Sequence, residues 1–140
     1  MTVLTKGIEI QTKGHSEIID ITSQVLHILS ESGLKEGQVT IFGIGSTTGI
    51  TTLEFEPGLV NYDVREMLDQ LAPYGKPYRH NQTWGDDNGG AHLRSFMVGT
   101  SYTCPFVDGD LLLGTWQQIV FVDFDTRPRS RQIAVQLIGI

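Results

Sequence analysis

Cysteine is nearly absent from this chain of 140 residues, in which Cys104 is the only one. A single cysteine excludes an internal disulfide framework, and the apolar run around Cys104 is typical of a buried, unreactive thiol. No apolar run approaches the roughly 20 residues that a membrane helix requires. The first residues also lack the charged and then apolar pattern of a signal peptide. These absences predict a cytoplasmic protein that does not associate with a membrane.

Basic residues are also scarce, with 10 Lys and Arg against 16 Asp and Glu and a formal net charge of −6. Broad nucleic-acid binding depends on the neutralisation of phosphates by Lys and Arg, so this balance argues against it. A surplus of acidic residues is typical of a protein that stays in solution. The length is sufficient for one domain with a real core, and we expect a single domain over residues 1–140.

Two stretches in the first half of the chain have the spacing of amphipathic helices. Apolar residues over 21–29 repeat with a helical period, and Ser32-Gly33 provides a C-terminal stop. Asp63 and Glu66 form a capping-box pattern, and apolar residues continue at helical spacing to Leu71 before a proline. The sequence therefore predicts two helices.

The remaining apolar stretches predict about eight strands. Period-two alternation or a short apolar run marks each of them, at residues 3–10, 39–44, 51–55, 93–98, 102–107, 111–113, 116–124 and 132–138. Asp108-Gly109 is a hairpin turn signal between two of these strands. We expect an α+β fold, in which a single domain has two helices packed on a large, mostly antiparallel β-sheet.

A glycine-rich polar segment is the strongest functional signal in the sequence. Residues 84–92 read Trp-Gly-Asp-Asp-Asn-Gly-Gly-Ala-His, and His80 precedes them, so two of the four histidines bracket this segment. Imidazole and carboxylate groups bind divalent metals, and glycines permit tight turns. The segment predicts a catalytic and metal-binding site formed by His80, Asp86 and His92. The alternative is a turn that the two histidines stabilise by hydrogen bonds to the backbone.

The motifs of the second half together resemble the YjbQ-like family, and the resemblance covers nearly the whole chain. The motifs are Tyr78-x-His80, Gly85-Asp86-x-Asn88-Gly89-x-x-His92-Leu93-Arg94, Gly99-x-Ser101, Asp108-Gly109, Leu113-Gly114-Thr115-Trp116-Gln117, Asp123-x-Asp125 and Arg127-Pro128-Arg129-x-Arg131. The family consists of small, largely uncharacterised bacterial and archaeal proteins. It is often described as secondary thiamine-phosphate synthase because some members have weak activity of that kind.

The resemblance implies a compact α+β fold that assembles as a homotrimer, with polar residues and a metal near a subunit boundary. Ser46 and Gly90 stand where other members have histidines. Carried over by position, the site comprises His80, Asp86, Asn88 and His92, with Thr47 and Glu54 as neighbours.

The function that the resemblance implies is metal-assisted transfer on a phosphorylated heterocycle. Two imidazoles and the Asp86 carboxylate suit zinc with an open coordination position, whereas a shell richer in oxygen suits magnesium or manganese. The ion would neutralise a pyrophosphate leaving group. The residues predicted to bind substrate, including arginines that suit phosphate, are Thr47, Asn88, Arg94, Trp116, Gln117 and Arg131. The alternative function is a non-catalytic trimeric module that binds a small phosphorylated or anionic ligand.

Overall fold

The computed structural model describes residues 1–140, and its larger sheet has five antiparallel strands. These strands are β1 (Thr2–Thr12), β3 (Glu36–Gly43), β5 (Ser101–Val107), β6 (Asp110–Leu111) and β8 (Arg129–Gly139). They lie in the order β1-β8-β3-β5-β6. Every second residue of β8 from Arg131 to Gly139 is buried, because alternate side chains of a strand point to opposite faces. One face of this sheet therefore covers the core and the other faces solvent.

The second sheet has three antiparallel strands in the order β2-β7-β4. They are β2 (Glu17–Asp20), β4 (Thr48–Leu53) and β7 (Gln118–Asp123). The central strand β7 is buried on both faces: Ile119 and Phe121 join the larger hydrophobic core, whereas Val120 and Val122 join a smaller one. This double burial explains the continuous apolar run in the sequence, as expected for a strand covered on both faces.

Four α-helices accompany the sheets: α1 (Thr22–Ser32), α2 (Val64–Leu71), α3 (Arg79–Trp84) and α4 (Gly89–Val98). The first buries Val25 and Leu29 in the larger core and ends at Gly33, whose φ of 71° is left-handed, as the sequence predicts. The second buries Leu68 in the smaller core. The α+β fold is confirmed, but the predicted count of two helices is wrong. None of the helices is long and apolar enough to cross a bilayer.

The predicted strand at residues 93–98 is wrong, because these residues belong to α4. The buried face of α4 consists of small or polar residues, among them Gly90, Ala91, Arg94 and Ser95. Its large apolar side chains, including Leu93 and Phe96, are exposed. A pattern of apolar residues therefore marks the wrong face of this helix. The short strand β2 is not among the strands that the sequence predicts.

The predicted capping box of α2 is wrong as well. Asp63 makes no side-chain hydrogen bond to the helix end, because the chain is already helical from Leu59 in a π-helical turn, Leu59–Asp63. The carboxylate of Glu56 instead accepts hydrogen bonds from the backbone N–H groups of Gly58 and Leu59, at 2.9 Å and 2.6 Å. A carboxylate at this end stabilises unpaired N–H groups and the helix dipole.

Candidate functional site

His80 and His92 lie on the neighbouring short helices α3 and α4, and their side chains converge. The centroids of the two rings are 4.4 Å apart, and the ring planes are inclined by 54°. The chain reverses between the helices at Gly85, whose φ of 67° favours glycine over other residues. The structure thus brings together the two imidazoles that bracket the glycine-rich segment.

Close packing between α3 and α4 requires a glycine at position 89. A Cβ added there would lie 2.6 Å from Cβ of Tyr78, closer than such atoms approach in proteins. The N–H group of Gly89 donates to Oδ1 of Asn81 at 2.9 Å, which ties the start of α4 to α3. The glycine therefore sets the separation of the helices that carry the histidines.

Two acceptor groups contact the same nitrogen of His80. Its Nε2 lies 3.0 Å from Oδ1 of Asn88 and 3.5 Å from Oδ2 of Asp86. The structure therefore brings three of the predicted site residues, His80, Asp86 and Asn88, into one cluster with His92.

The surroundings of His92 favour its neutral form. Burial lowers its pKa below the usual histidine value, and the adjacent His80 ring lowers the pKa further. The carboxylates of Asp125 and Asp86 and a hydrogen bond with the Ser46 backbone oppose this shift without cancelling it. A neutral imidazole accepts protons and binds metal ions, whereas the imidazolium does neither.

An open groove of about 410 Å³ adjoins His92. It is lined by Gly45, Ser46, His92, Ser95, Phe96, Gly99 and Thr100. This volume is within the range of small-molecule sites. A slightly larger cleft of about 450 Å³ lies between β1 and α1, but its one histidine, His27, is 73% exposed and pairs with Glu31. We favour the groove at His92, because a histidine with a shifted pKa marks a functional site better than volume does.

A buried ionic network lies at the start of β8 and includes two of the predicted substrate-binding residues. Arg131 donates to Asp123 from Nε at 2.8 Å and from Nη2 at 2.9 Å. The same Nη2 donates to Oγ1 of Thr47 at 2.7 Å. Burial alone would raise the pKa of Asp123, but hydrogen bonds from Arg131 and Thr12 outweigh burial and lower it. The ionised Asp123 carboxylate therefore fixes Arg131, and Arg131 in turn holds Thr47.

The network reaches the histidine pair through Asp125 and Asn88. Nδ2 of Asn88 lies 3.3 Å from Oδ1 of Asp125, while Nη2 of Arg129 lies 2.6 Å from Oδ2. Asp125 is not among the site residues that the sequence predicts, although it lies in the Asp123-x-Asp125 motif. The motif is the sequence signal that could have marked Asp125 as a site residue.

Arg94 lies apart from the histidine pair. Its side chain is 1% exposed and donates to the Ala72 carbonyl, to Oγ of Ser16 and to Oδ1 of Asp69. The guanidinium carbon also lies 4.0 Å from the centroid of the Tyr74 ring. These contacts connect α4 to the segment after α2, and they engage all three nitrogens of the guanidinium. None of them joins Arg94 to the groove.

Trp116 and Gln117 are likewise not hydrogen-bonded to the histidine pair. The Gln117 side chain accepts from the Gly114 N–H group and donates to the hydroxyls of Thr52 and Tyr102. Trp116 is 71% exposed. The structure also contains no group of three or more His, Cys, Asp or Glu side chains in position to hold a metal ion.

The whole chain is similar to a set of proteins from archaea and bacteria. The sequence profile described as "UPF0047 protein YjbQ-like" matches residues 6–140. A UPF0047 protein of Methanothermobacter thermautotrophicus is 38% identical over 139 residues, which cover 99% of this chain and 94% of that protein. The UPF0047 protein YugU of Bacillus subtilis is 33% identical over 136 residues, which cover 97% of this chain and 100% of that protein.

Solved structures show the same similarity. A YbjQ-like protein of unknown function from Sulfolobus solfataricus P2 has a TM-score of 0.88 and 32% identity, and the match covers 99% of this chain and 100% of that chain. A hypothetical protein from Aeropyrum pernix K1 has a TM-score of 0.90 and 32% identity, and the match covers 98% of this chain and 99% of that chain. The chain therefore belongs to the UPF0047 family of YjbQ-like proteins, as its motifs predict.

Proposed function

We propose that this chain is a cytoplasmic enzyme that transfers a group on a small phosphorylated heterocycle, with His80 and His92 at the reaction centre. The reaction resembles that of secondary thiamine-phosphate synthase. The observation that carries the proposal is the convergence of the two rings, 4.4 Å apart, beside the groove at His92. A turn held only by histidine–backbone hydrogen bonds would not require two imidazoles to face each other.

Groups of the kind that bind a phosphate line the groove and lie directly behind its Gly45 wall. A Cβ added at Gly45, which lines the groove, would lie 3.1 Å from Nη1 of Arg131. This nitrogen makes no hydrogen bond within the protein, whereas Nε and Nη2 hold Asp123. The hydroxyl-bearing residues Ser46 and Thr100 line the same groove. A guanidinium nitrogen and hydroxyl groups suit the oxygens of a phosphate, so we assign this end of the groove to the substrate phosphate.

The reaction centre suits a divalent ion by the chemistry of its donors. His80 and His92 would hold the ion, and zinc, magnesium and manganese are the candidates. The Asp86 carboxylate, 3.5 Å from Nε2 of His80, would support the first of these two ligands. The lowered pKa of His92 supports this assignment because metal ligation requires the neutral ring. When bound, the ion would neutralise the charge of a phosphate or pyrophosphate leaving group.

Alanine substitution of each histidine tests the proposal. The assay is formation of thiamine phosphate from a pyrimidine diphosphate and a thiazole phosphate, with metal content measured on the same samples. We expect His80→Ala and His92→Ala to lower kcat/KM by about 100-fold or more, the size of effect that follows removal of a side chain that takes part in the chemistry. Because both histidines are only partly buried, we expect the melting temperature of each variant to stay close to that of the wild type. His27→Ala, at an exposed helix position, is the matched control. Unchanged turnover in both site variants would contradict the proposal.

A second candidate function is a non-catalytic homotrimer that binds a small anionic ligand, and exposed apolar side chains favour it. Phe96 is 88% exposed and lines the groove, and Leu93 and Met97 on the same helix are exposed as well. Exposed apolar groups of this kind often mark an interface. Sedimentation of the purified chain should give a trimer, and a monomer at micromolar concentration would contradict it. Pyrophosphate binding in the presence of a chelator, without turnover, would favour this module over the enzyme.

A further inference from the structure

Asp125 is surrounded by groups that keep it ionised. Arg129 contacts Oδ2 from Nε at 2.8 Å and from Nη2 at 2.6 Å, and Nη2 of Arg131 lies 3.8 Å from the same oxygen. The N–H group of Thr126 donates to Oδ1 at 2.8 Å. An ionised carboxylate only accepts hydrogen bonds. Any group that bonds to Asp125 must therefore present a donor.

Asn88 meets this requirement in one orientation of its side chain. Its Nδ2 lies 3.3 Å from Oδ1 of Asp125. If the amide were turned over, its oxygen would face the carboxylate, and the two acceptors would repel each other. The ionised Asp125 thus fixes the Asn88 amide with its NH₂ group towards the network and its oxygen towards His80.

The fixed amide determines where His80 carries its proton. Oδ1 of Asn88 lies 3.0 Å from Nε2 of His80, and Oδ2 of Asp86 lies 3.5 Å from the same nitrogen. Both neighbours of Nε2 are acceptors, so Nε2 must be the donor. A neutral imidazole with its proton on Nε2 has its lone pair on Nδ1.

We therefore propose that Asn88 and Asp125 are positioning residues that hold neutral His80 as its Nε2–H tautomer and leave Nδ1 as its free base and ligand atom. This inference rests on the proposed function for the role of His80, but the tautomer itself does not depend on turnover. It assigns Asn88 to positioning instead of substrate binding. It also gives Asp86 an orienting role, because the carboxylate acts on His80 through Nε2–H, as carboxylates behind metal-binding histidines do.

Nitrogen NMR of the full chain labelled in its histidines tests the proposal at a pH where His80 is neutral. We expect the wild type to show His80 in the Nε2–H form with an observable Nε2 proton that exchanges slowly with water. In Asn88→Leu, this proton should vanish from the spectrum and the tautomers should mix. Thr126→Val is the matched control, because it removes the hydrogen bond that the Thr126 hydroxyl donates to Asp87, the residue before Asn88, and does not alter a contact of His80.

Two results would overturn the proposal. One is a wild-type His80 with its proton on Nδ1, and the other is an Asn88→Leu spectrum identical to that of the wild type. If Asn88→Leu does not fold, Asp125→Asn takes its place, because a neutral amide at position 125 no longer forces the orientation of Asn88. An Nε2–H tautomer together with full activity in His80→Ala would contradict the proposed function alone and would leave the positioning role standing.

Discussion

Substitution of Asp123 by Asn should remove a large part of the stability of the protein. Asp123 is fully buried and accepts hydrogen bonds from Arg131, Thr12 and the Asp125 N–H group. Asparagine keeps the shape but has one oxygen instead of two and no charge, so Arg131 remains buried without its partner. Breaking a buried ion pair in this way costs about 3–5 kcal/mol.

The lower end of that range applies here, because Oδ2 of Asp125 lies 3.8 Å from Arg131 and retains part of the attraction. We therefore expect a loss of about 3 kcal/mol from a total that is typically about 5–15 kcal/mol. Urea unfolding followed by circular dichroism measures this difference. Asp110→Asn, at an exposed strand position, is the control and should change stability by less than about 0.5 kcal/mol. A loss below about 1 kcal/mol in Asp123→Asn would refute the reasoning.

Two further predictions follow from the same region. Gly89→Ala should destabilise the protein by about 1–3 kcal/mol, because its new Cβ would meet Tyr78 at 2.6 Å. Gly7→Ala, where a Cβ meets nothing within 4 Å, is the control, and equal urea midpoints for the two variants would contradict this. The pKa values of Asp123 and Asp125 are below the usual 3.8, so their contribution to stability is complete above that pH and disappears as pH falls through the lower folded-state values. Unfolding midpoints measured between pH 5 and pH 2 should therefore fall less steeply in Asp123→Asn than in the wild type, and parallel curves would count against the ionised network.

The fold could be predicted from sequence wherever burial follows hydrophobicity. The first helix and the long strands obey this rule: α1 buries Val25 and Leu29, and β8 alternates along its length. The rule fails at α4, which buries Ala91 and Arg94 and exposes Phe96. Arg94 is buried there because three hydrogen bonds and the Tyr74 ring compensate its charge, and these partners come from distant parts of the chain.

In the candidate site, too, contacts within one segment could be predicted from the sequence, whereas contacts between distant segments could not. The histidine pair is predictable because His80 and His92 flank a single glycine-rich segment. The contact between Asn88 and Asp125 spans 37 positions and depends on how the turn after β7 packs against that segment. No local pattern encodes this packing, so the tautomer of His80 could be inferred only once the three-dimensional contacts were known.

His80 and His92 should act as one unit in the reaction, and a double-mutant cycle on kcat/KM measures whether they do. Residues that work together are strongly non-additive, because removal of either already abolishes their joint effect. The double variant, His80→Ala with His92→Ala, should therefore have the same kcat/KM as the less active of the two single variants. Losses that multiply in the double variant would show that the two rings act independently and would contradict the claim.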